Sequence, residues 1–192
     1  MREIIAASNN QGKIQELQKA ASSVEIVSYL SYGEKTEAAE TGESYLENAL
    51  IKAETIGKSL NRPVMGDDGG LELSAFPNHL GLYTARELSS YKTDTEKNEY
   101  ILKLLKGKEE RSCVLQAALA YYRPGKEPIQ IIEKLVGEIA LEQTGTNGYG
   151  FDSIIWIPEK NRTLGEMTLE ERNHFSPRIR AFRKLLRRLE NV

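Results

Sequence analysis

Two aspartates stand side by side at Asp67 and Asp68, behind a short apolar stretch and ahead of Gly69 and Gly70. Adjacent carboxylates repel unless a cation lies nearby. A hard divalent ion such as magnesium favours oxygen ligands and keeps several waters while bridging one or two carboxylates to phosphate oxygens. The glycines would let a ligand approach the backbone closely. The same four residues also suit an ordinary turn, because Asp and Gly are common turn formers.

A second candidate is Ser8-Asn9-Asn10-Gln11-Gly12-Lys13, a polar turn leading into a helical pattern. Such a turn offers backbone N–H groups to phosphate, with a lysine charge beside them; the bland reading is a capping turn whose lysine is solvated. Glu40-Thr41-Gly42-Glu43 precedes a helix carrying Glu47, Asn48 and Lys52, and the last two share a face at i, i+4. A carboxylate, an amide and an ammonium can line one site there, although a solvated helix with pairs such as Glu54 and Lys58 fits the pattern too.

Gly148-Tyr149-Gly150-Phe151-Asp152 alternates aromatics with glycine ahead of a strand, which suits a stacking platform for a flat base or, equally, aromatics packed into the core. In Arg172-Asn173-His174-Phe175-Ser176-Pro177-Arg178, Ser176 is a good N-cap and Pro177 a good first helical residue, so arginines would border a helix N-terminus. His79 and His174 lack partners at zinc-ligand spacing, and Cys113, the single cysteine, lacks a recognisable histidine partner.

The elements that must position these residues alternate between α and β. An apolar run at Ile4, Ile5, Ala6 and Ala7 reads as a strand, followed by a helix from near Lys13. Ser44 and Glu47 form a capping box ahead of a helix whose stripe is Leu46, Ala49, Leu50, Ala53, Gly57 and Leu60. Residues 63–67 and 70–75 read as two short strands with the acids at a turn between them. A helix over 94–105 follows, then a hairpin of 112–122 and 129–141 across Arg123-Pro124-Gly125-Lys126, a strand over 153–157, and a final helix with the stripe Ile179, Phe182, Leu186 and Leu189. No repeat or long linker divides the chain, so the expectation is one α/β domain over residues 1–192, a mixed sheet with flanking helices.

Composition narrows the partners. With 26 Lys and Arg against 28 Asp and Glu, there is no excess positive charge for nucleic acid or an anionic membrane. No segment approaches the ~20 apolar residues of a membrane span, and a basic leader with a long apolar stretch is absent, so the expected location is the cytoplasm.

Taken in order, these segments resemble the inosine triphosphate pyrophosphatase family, which acts on non-standard purine nucleotides. The resemblance rests on Ser8-Asn9-Asn10 through Lys13 and Glu16, Glu40-Thr41-Gly42 with Glu47-Asn48-Ala49 and Lys52-Ala53, Asp67-Asp68-Gly69-Gly70-Leu71, Tyr83-Thr84-Ala85-Arg86, residues 148–152, and Gly165-Glu166-Met167 through Arg178. It implies an elongated mixed sheet in two lobes around a cleft, in a homodimer, and magnesium-dependent hydrolysis of inosine, deoxyinosine and xanthosine triphosphates to the monophosphate and pyrophosphate. By the same resemblance Ser8, Asn9, Asn10, Gln11, Gly12 and Lys13 hold the triphosphate. Glu40, Asp68 and Asp67 are the metal carboxylates, Asp68 acts on the attacking water, and Lys52 joins Lys13 in neutralising the phosphates. Gly69 borders the ligand; Tyr149, Gly150, Phe151 and Asp152 take the base, and Arg172, Pro177 and Arg178 also fall at nucleotide-contacting positions. The chain departs from the family at three of these: Gly69 replaces a serine, Arg172 a lysine, and Pro177 a histidine associated with base recognition. A pyrophosphatase of shifted specificity and a nucleotide-binding regulator without hydrolysis are the rival readings.

Overall fold

A computed structural model describes residues 2–21, 23–33, 36 and 38–190. Strand β1 (Arg2–Ala6) leads into helix α1 (Gln11–Ala20), which returns the chain to β2 (Val24–Ser28), parallel to β1. Helix α2 (Tyr45–Leu60) then carries it to β3 (Val64–Leu73), parallel to β1 on the other side, with Ala6 opposite Met65. After the short α3 (Thr84–Glu87) and α4 (Asp94–Leu104) come the long strands β4 (Ser112–Arg123) and β5 (Lys126–Ile139). Strands β6 (Ile155–Ile157) and β7 (Arg162–Thr163) follow, then α5 (Leu169–Phe175) and α6 (Pro177–Glu190). Among the described residues the seven strands form one mixed sheet in the order β2-β1-β3-β4-β5-β6-β7.

Contacts within the chain cluster into two compact units. The first comprises Met1–Gly69, Ala117–Glu133 and Pro177–Val192, the second Gly70–Gln116 and Lys134–Ser176. In the first unit alternate strand residues bury on opposite faces, as the two-residue period requires. Ile4, Ala6 and Met65 pack with Leu17 of α1 and with Ile179, Phe182 and Leu185 of α6, while Ile5 and Val64 pack with Ile56 of α2. In the second unit Leu71, Leu73, Ile101, Leu105, Cys113, Leu135 and Ile155 form a separate core.

The structure corrects the expected break between residues 67 and 70. Strand β3 runs unbroken through Asp67, Asp68, Gly69 and Gly70, so the acids project from a strand and not from a turn. Turn propensity yields because each carboxylate finds a cation on its own face of the sheet, as described below. Helix α1 begins at Gln11, slightly before the expected Lys13. Ser44 caps α2 by accepting from the Glu47 N–H at 3.2 Å, but the Glu47 carboxylate accepts from Glu43 N at 2.6 Å, one residue earlier than a reciprocal box. Ser176 ends α5, its N–H donating to the Arg172 carbonyl.

Candidate active site

The first unit's functional side chains gather beyond the carboxyl end of β1, where the chain departs to β2 on one side and, later, to β3 on the other. Ligands in open α/β sheets bind at such a switch point. Residues 7–10 make the exit. The Ala7 N–H donates to Met65 O at 2.8 Å and the Ser28 hydroxyl to Ser8 O at 2.9 Å, tying the turn to both neighbouring strands. Ser8 Oγ accepts from Asn10 N at 3.2 Å, and Asn10 Oδ1 caps α1 at the Lys13 N–H. Asn10 thus fills the capping role that the sequence also allowed, and the helix start it organises brings Lys13 to β3.

Asp67 and Asp68 are strand neighbours and therefore face opposite sides of the sheet. On the face covered by α1 and α6, the Lys13 ammonium lies 2.7 Å from Asp67 Oδ1 and the Arg178 Nε lies 2.6 Å from Asp67 Oδ2. Arg178 also donates from a terminal nitrogen to Glu16 Oε2 at 2.8 Å, closing a network of two acids and two bases. Burial would raise the Asp67 carboxyl, but Arg178 and Lys13 outweigh it and hold the group down to about 2. Burial, with help from Arg178 and Lys52, lowers the Lys13 ammonium although Asp67 opposes this.

On the face covered by α2, the Lys52 ammonium lies 2.7 Å from Asp68 Oδ1 and 2.7 Å from Glu40 Oε1. Burial alone would lower this lysine, but Asp68 and Glu40 raise it above the usual range. The short distance between α2 and β3 makes this contact possible. A β-carbon on Gly66 would stand 1.9 Å from the Ala49 carbonyl oxygen, so strand and helix approach through a glycine and the small buried side chains of Ala49 and Ala53. Glu40 is placed by the segment after it. Buried Asn48 accepts from the Gly42 N–H at 2.9 Å, and a β-carbon at Gly42 would come within 2.7 Å of Glu47 Cβ.

Of the three carboxylates expected to hold metal, the structure brings Glu40 and Asp68 together and sets Asp67 on the other face. Its oxygens serve Lys13 and Arg178 on one face, while Glu40 and Asp68 converge on the other. The latter two present hard oxygens to a single point of positive charge, a donor set that fits magnesium with its remaining positions left for water and phosphate. Among the described residues there is no group of three or more His, Cys, Asp or Glu that could form an all-protein cage. Gly69 follows Asp68 in β3, and Pro177 is the buried first residue of α6, directly before Arg178.

The second unit holds Tyr149, Gly150, Phe151, Asp152 and Arg172. Gly148 has φ +88° and Gly150 φ +63°, left-handed values that favour glycine. At Gly148 space is also decisive, because a β-carbon would lie 2.0 Å from Asp152 Oδ2 and 2.8 Å from an Arg172 guanidinium nitrogen. Asp152 accepts from the Tyr149 N–H at 3.1 Å, with buried Arg172 at 3.6 Å from the same oxygen. Phe151 is half-buried against the second core.

Asn48, singled out beside Lys52 in the sequence, orders the segment after Glu40; Glu16, Asp94 and Asn98 complete these arrangements without having been assigned site roles from the sequence. Glu16 had a legible signal, since it lies three residues after Lys13 on the same helix face. Asp94 and Asn98 had none, because their partners are more than fifty residues away.

Residues 4–188 match the Ham1 family. The chain is 36% identical over 189 residues to the dITP/XTP pyrophosphatase of Bacillus licheniformis, spanning 96% of each chain. It is 36% identical over 194 residues to the enzyme of the same name from Bacillus subtilis, spanning 99% of this chain and 98% of the other. The Staphylococcus aureus Ham1 protein superposes with a TM-score of 0.86 at 31% identity over 99% of both chains. A HAM1 protein from Coxiella burnetii does so with a TM-score of 0.84 at 30% identity over 100% of both.

Proposed function

The chain belongs to the Ham1 family, and from that membership we propose that it is a nucleoside triphosphate pyrophosphatase, hydrolysing deoxyinosine, inosine and xanthosine triphosphates to the monophosphate and pyrophosphate. The observation that supports the chemistry best is the convergence of Glu40 and Asp68 on one cationic point, the Lys52 ammonium. Glu40 and Asp68 are the residues that would hold magnesium, which when bound neutralises phosphate charge and acidifies water. The unbroken match over residues 4–188 supports treating both compact units as one functional domain.

Phosphoryl transfer requires positioning and charge stabilisation more than covalent chemistry. The backbone from Ser8 to Gly12, with Lys13, receives the triphosphate at a helix N-terminus. Asp68 accepts a hydrogen bond from the attacking water and takes up its proton as oxygen bonds to the α-phosphorus. The α–β anhydride bond breaks, and Lys52 and Lys13 stabilise the charge that develops on departing pyrophosphate. Asp67 keeps Lys13 and Arg178 in place. Tyr149, Gly150, Phe151 and Asp152, with Arg172, receive the purine, and Pro177 and Arg178 complete the nucleotide-binding set. A homodimer in the cytoplasm belongs to the same reading; among the described residues no helix is long and apolar enough to cross a membrane.

Incubation with inosine triphosphate and magnesium, followed by phosphorus NMR, tests the proposal. Inosine monophosphate and pyrophosphate should appear together. Stepwise orthophosphate release through a diphosphate would overturn it, as would binding without turnover.

A further inference from the structure

The loop that carries Gly150 is gripped from α4, which the proposed reaction leaves unused. Asp94, the first residue of α4, accepts from the Gly150 N–H through Oδ2 at 2.7 Å. One turn on, the side-chain amide of Asn98 donates to the Gly150 carbonyl at 2.9 Å and to the Ser153 hydroxyl oxygen at 3.0 Å. Ser153 in turn donates to Gln143 Oε1 at 3.2 Å, and Gln143 donates to the Thr95 carbonyl at 3.3 Å, returning to α4. Residues at i and i+4 of one helix face thus hold both the N–H and the carbonyl of a single residue.

That residue needs holding. Gly150 sits at φ +63°, and a β-carbon there would meet nothing within 4 Å, so no neighbour packs where a side chain would stand. Glycine has the largest conformational freedom of any residue, and polar tethers at both of its backbone groups remove that freedom. Asn98 is 1% exposed, whereas the Asp94 side chain is 45% exposed and reaches the loop from the surface. A carboxylate accepting from a backbone N–H makes a stronger bond than a neutral acceptor does.

We infer that Asp94 and Asn98 are positioning residues for base recognition: they clamp the Gly150 peptide and so preset the 149–152 segment before nucleotide arrives. The inference rests on the reading of that segment as the base site. A platform organised in advance binds without an ordering cost, and releasing it weakens ground-state and transition-state binding alike, which raises KM while leaving kcat nearly constant.

The test compares Asp94→Ala and Asn98→Ala with the unaltered protein on inosine triphosphate and on ribose 5-triphosphate, which has the same anhydride bond but no base. Asp94→Ala removes a half-exposed side chain and serves if the buried Asn98→Ala proves unstable. KM for inosine triphosphate should rise about tenfold in Asp94→Ala with kcat within about twofold, as expected for loss of one charge-assisted hydrogen bond. Turnover of ribose 5-triphosphate should stay within about twofold, a selectivity that general damage to the fold would not produce. Equal losses on both substrates, or no change on either, would overturn the clamp. If the unaltered protein itself prefers inosine triphosphate no more than the base-free compound, the base-site reading falls and the clamp falls with it.

Discussion

In the first unit the candidate site is built from charged side chains, paired across the two faces of one strand; in the second it is built from a backbone loop held in left-handed conformations by hydrogen bonds. Lys13, Arg178 and Lys52 are each held by a carboxylate at 2.6–2.7 Å, whereas Gly148 and Gly150 owe their placement to φ values and to Asp152, Asp94 and Asn98. On the proposed reading, the difference follows from what each part holds, phosphate and metal in the first and the base in the second. Phosphate and metal are point charges, matched by side-chain charges and stabilised most where water is excluded. A flat base requires a shaped surface, and a loop gives shape only when its backbone is restrained.

The comparison predicts that changes in the first unit act on turnover and stability, and changes in the second on base preference. The largest effect is expected from Asp68→Asn. Losing the proposed base and metal carboxylate should lower kcat by about 10²–10⁴-fold, measured by pyrophosphate release, with melting temperature little changed because Lys52 keeps Glu40 as a partner at 2.7 Å. Near-normal turnover would show that the strand's other acid carries the chemistry.

Asp67→Asn should cost stability, by about 3 kcal/mol, because it leaves Lys13 and part of Arg178 buried without their partner. The sign with pH is set by the depressed carboxyl, about 2 in the fold against an ordinary 3.8. Its stabilisation is present above 3.8 and is lost as pH falls towards 2. Denaturant titrations should therefore show the two proteins diverging at pH 6 and converging near pH 2; a gap that persists at pH 2 would mean that packing, not charge, accounts for the loss.

Gly148→Ala should be milder in stability, about 1–3 kcal/mol, but should fall mainly on the base. The added carbon would displace Asp152 and Arg172, so kcat/KM for inosine triphosphate should drop while ribose 5-triphosphate turnover stays near its original value. A parallel loss on both would erase the contrast between the units.

The smallest effect tests whether base recognition is confined to the second unit. Pro177 opens α6 with no backbone N–H and no side-chain donor. Replacing it with histidine should sharpen the preference for inosine over adenosine triphosphate about fivefold, the lower end of the ~1–3 kcal/mol that one buried hydrogen-bond donor contributes. An unchanged ratio of kcat/KM for the two nucleotides would confine base choice to the loop.

The sequence by itself determined the alternation of strands and helices, the paired acids, the polar turn ahead of α1 and the cation on α2, because these depend on residue type and short spacing. The Lys52–Asp68 contact was within reach of that reading, since both residues already stood out as charged candidates. Glu16 could be placed beside Lys13 from the helical repeat alone. Only the tertiary structure decided that β3 runs through the acids and sends Asp67 and Asp68 to opposite faces, because a local turn preference gives way when each carboxylate meets a buried cation supplied from another element. It also decided the Asp94 and Asn98 clamp on Gly150. A carboxylate at the first turn of a helix reads locally as part of that helix start, and its bond to a backbone N–H more than fifty residues on leaves no periodicity or composition to detect.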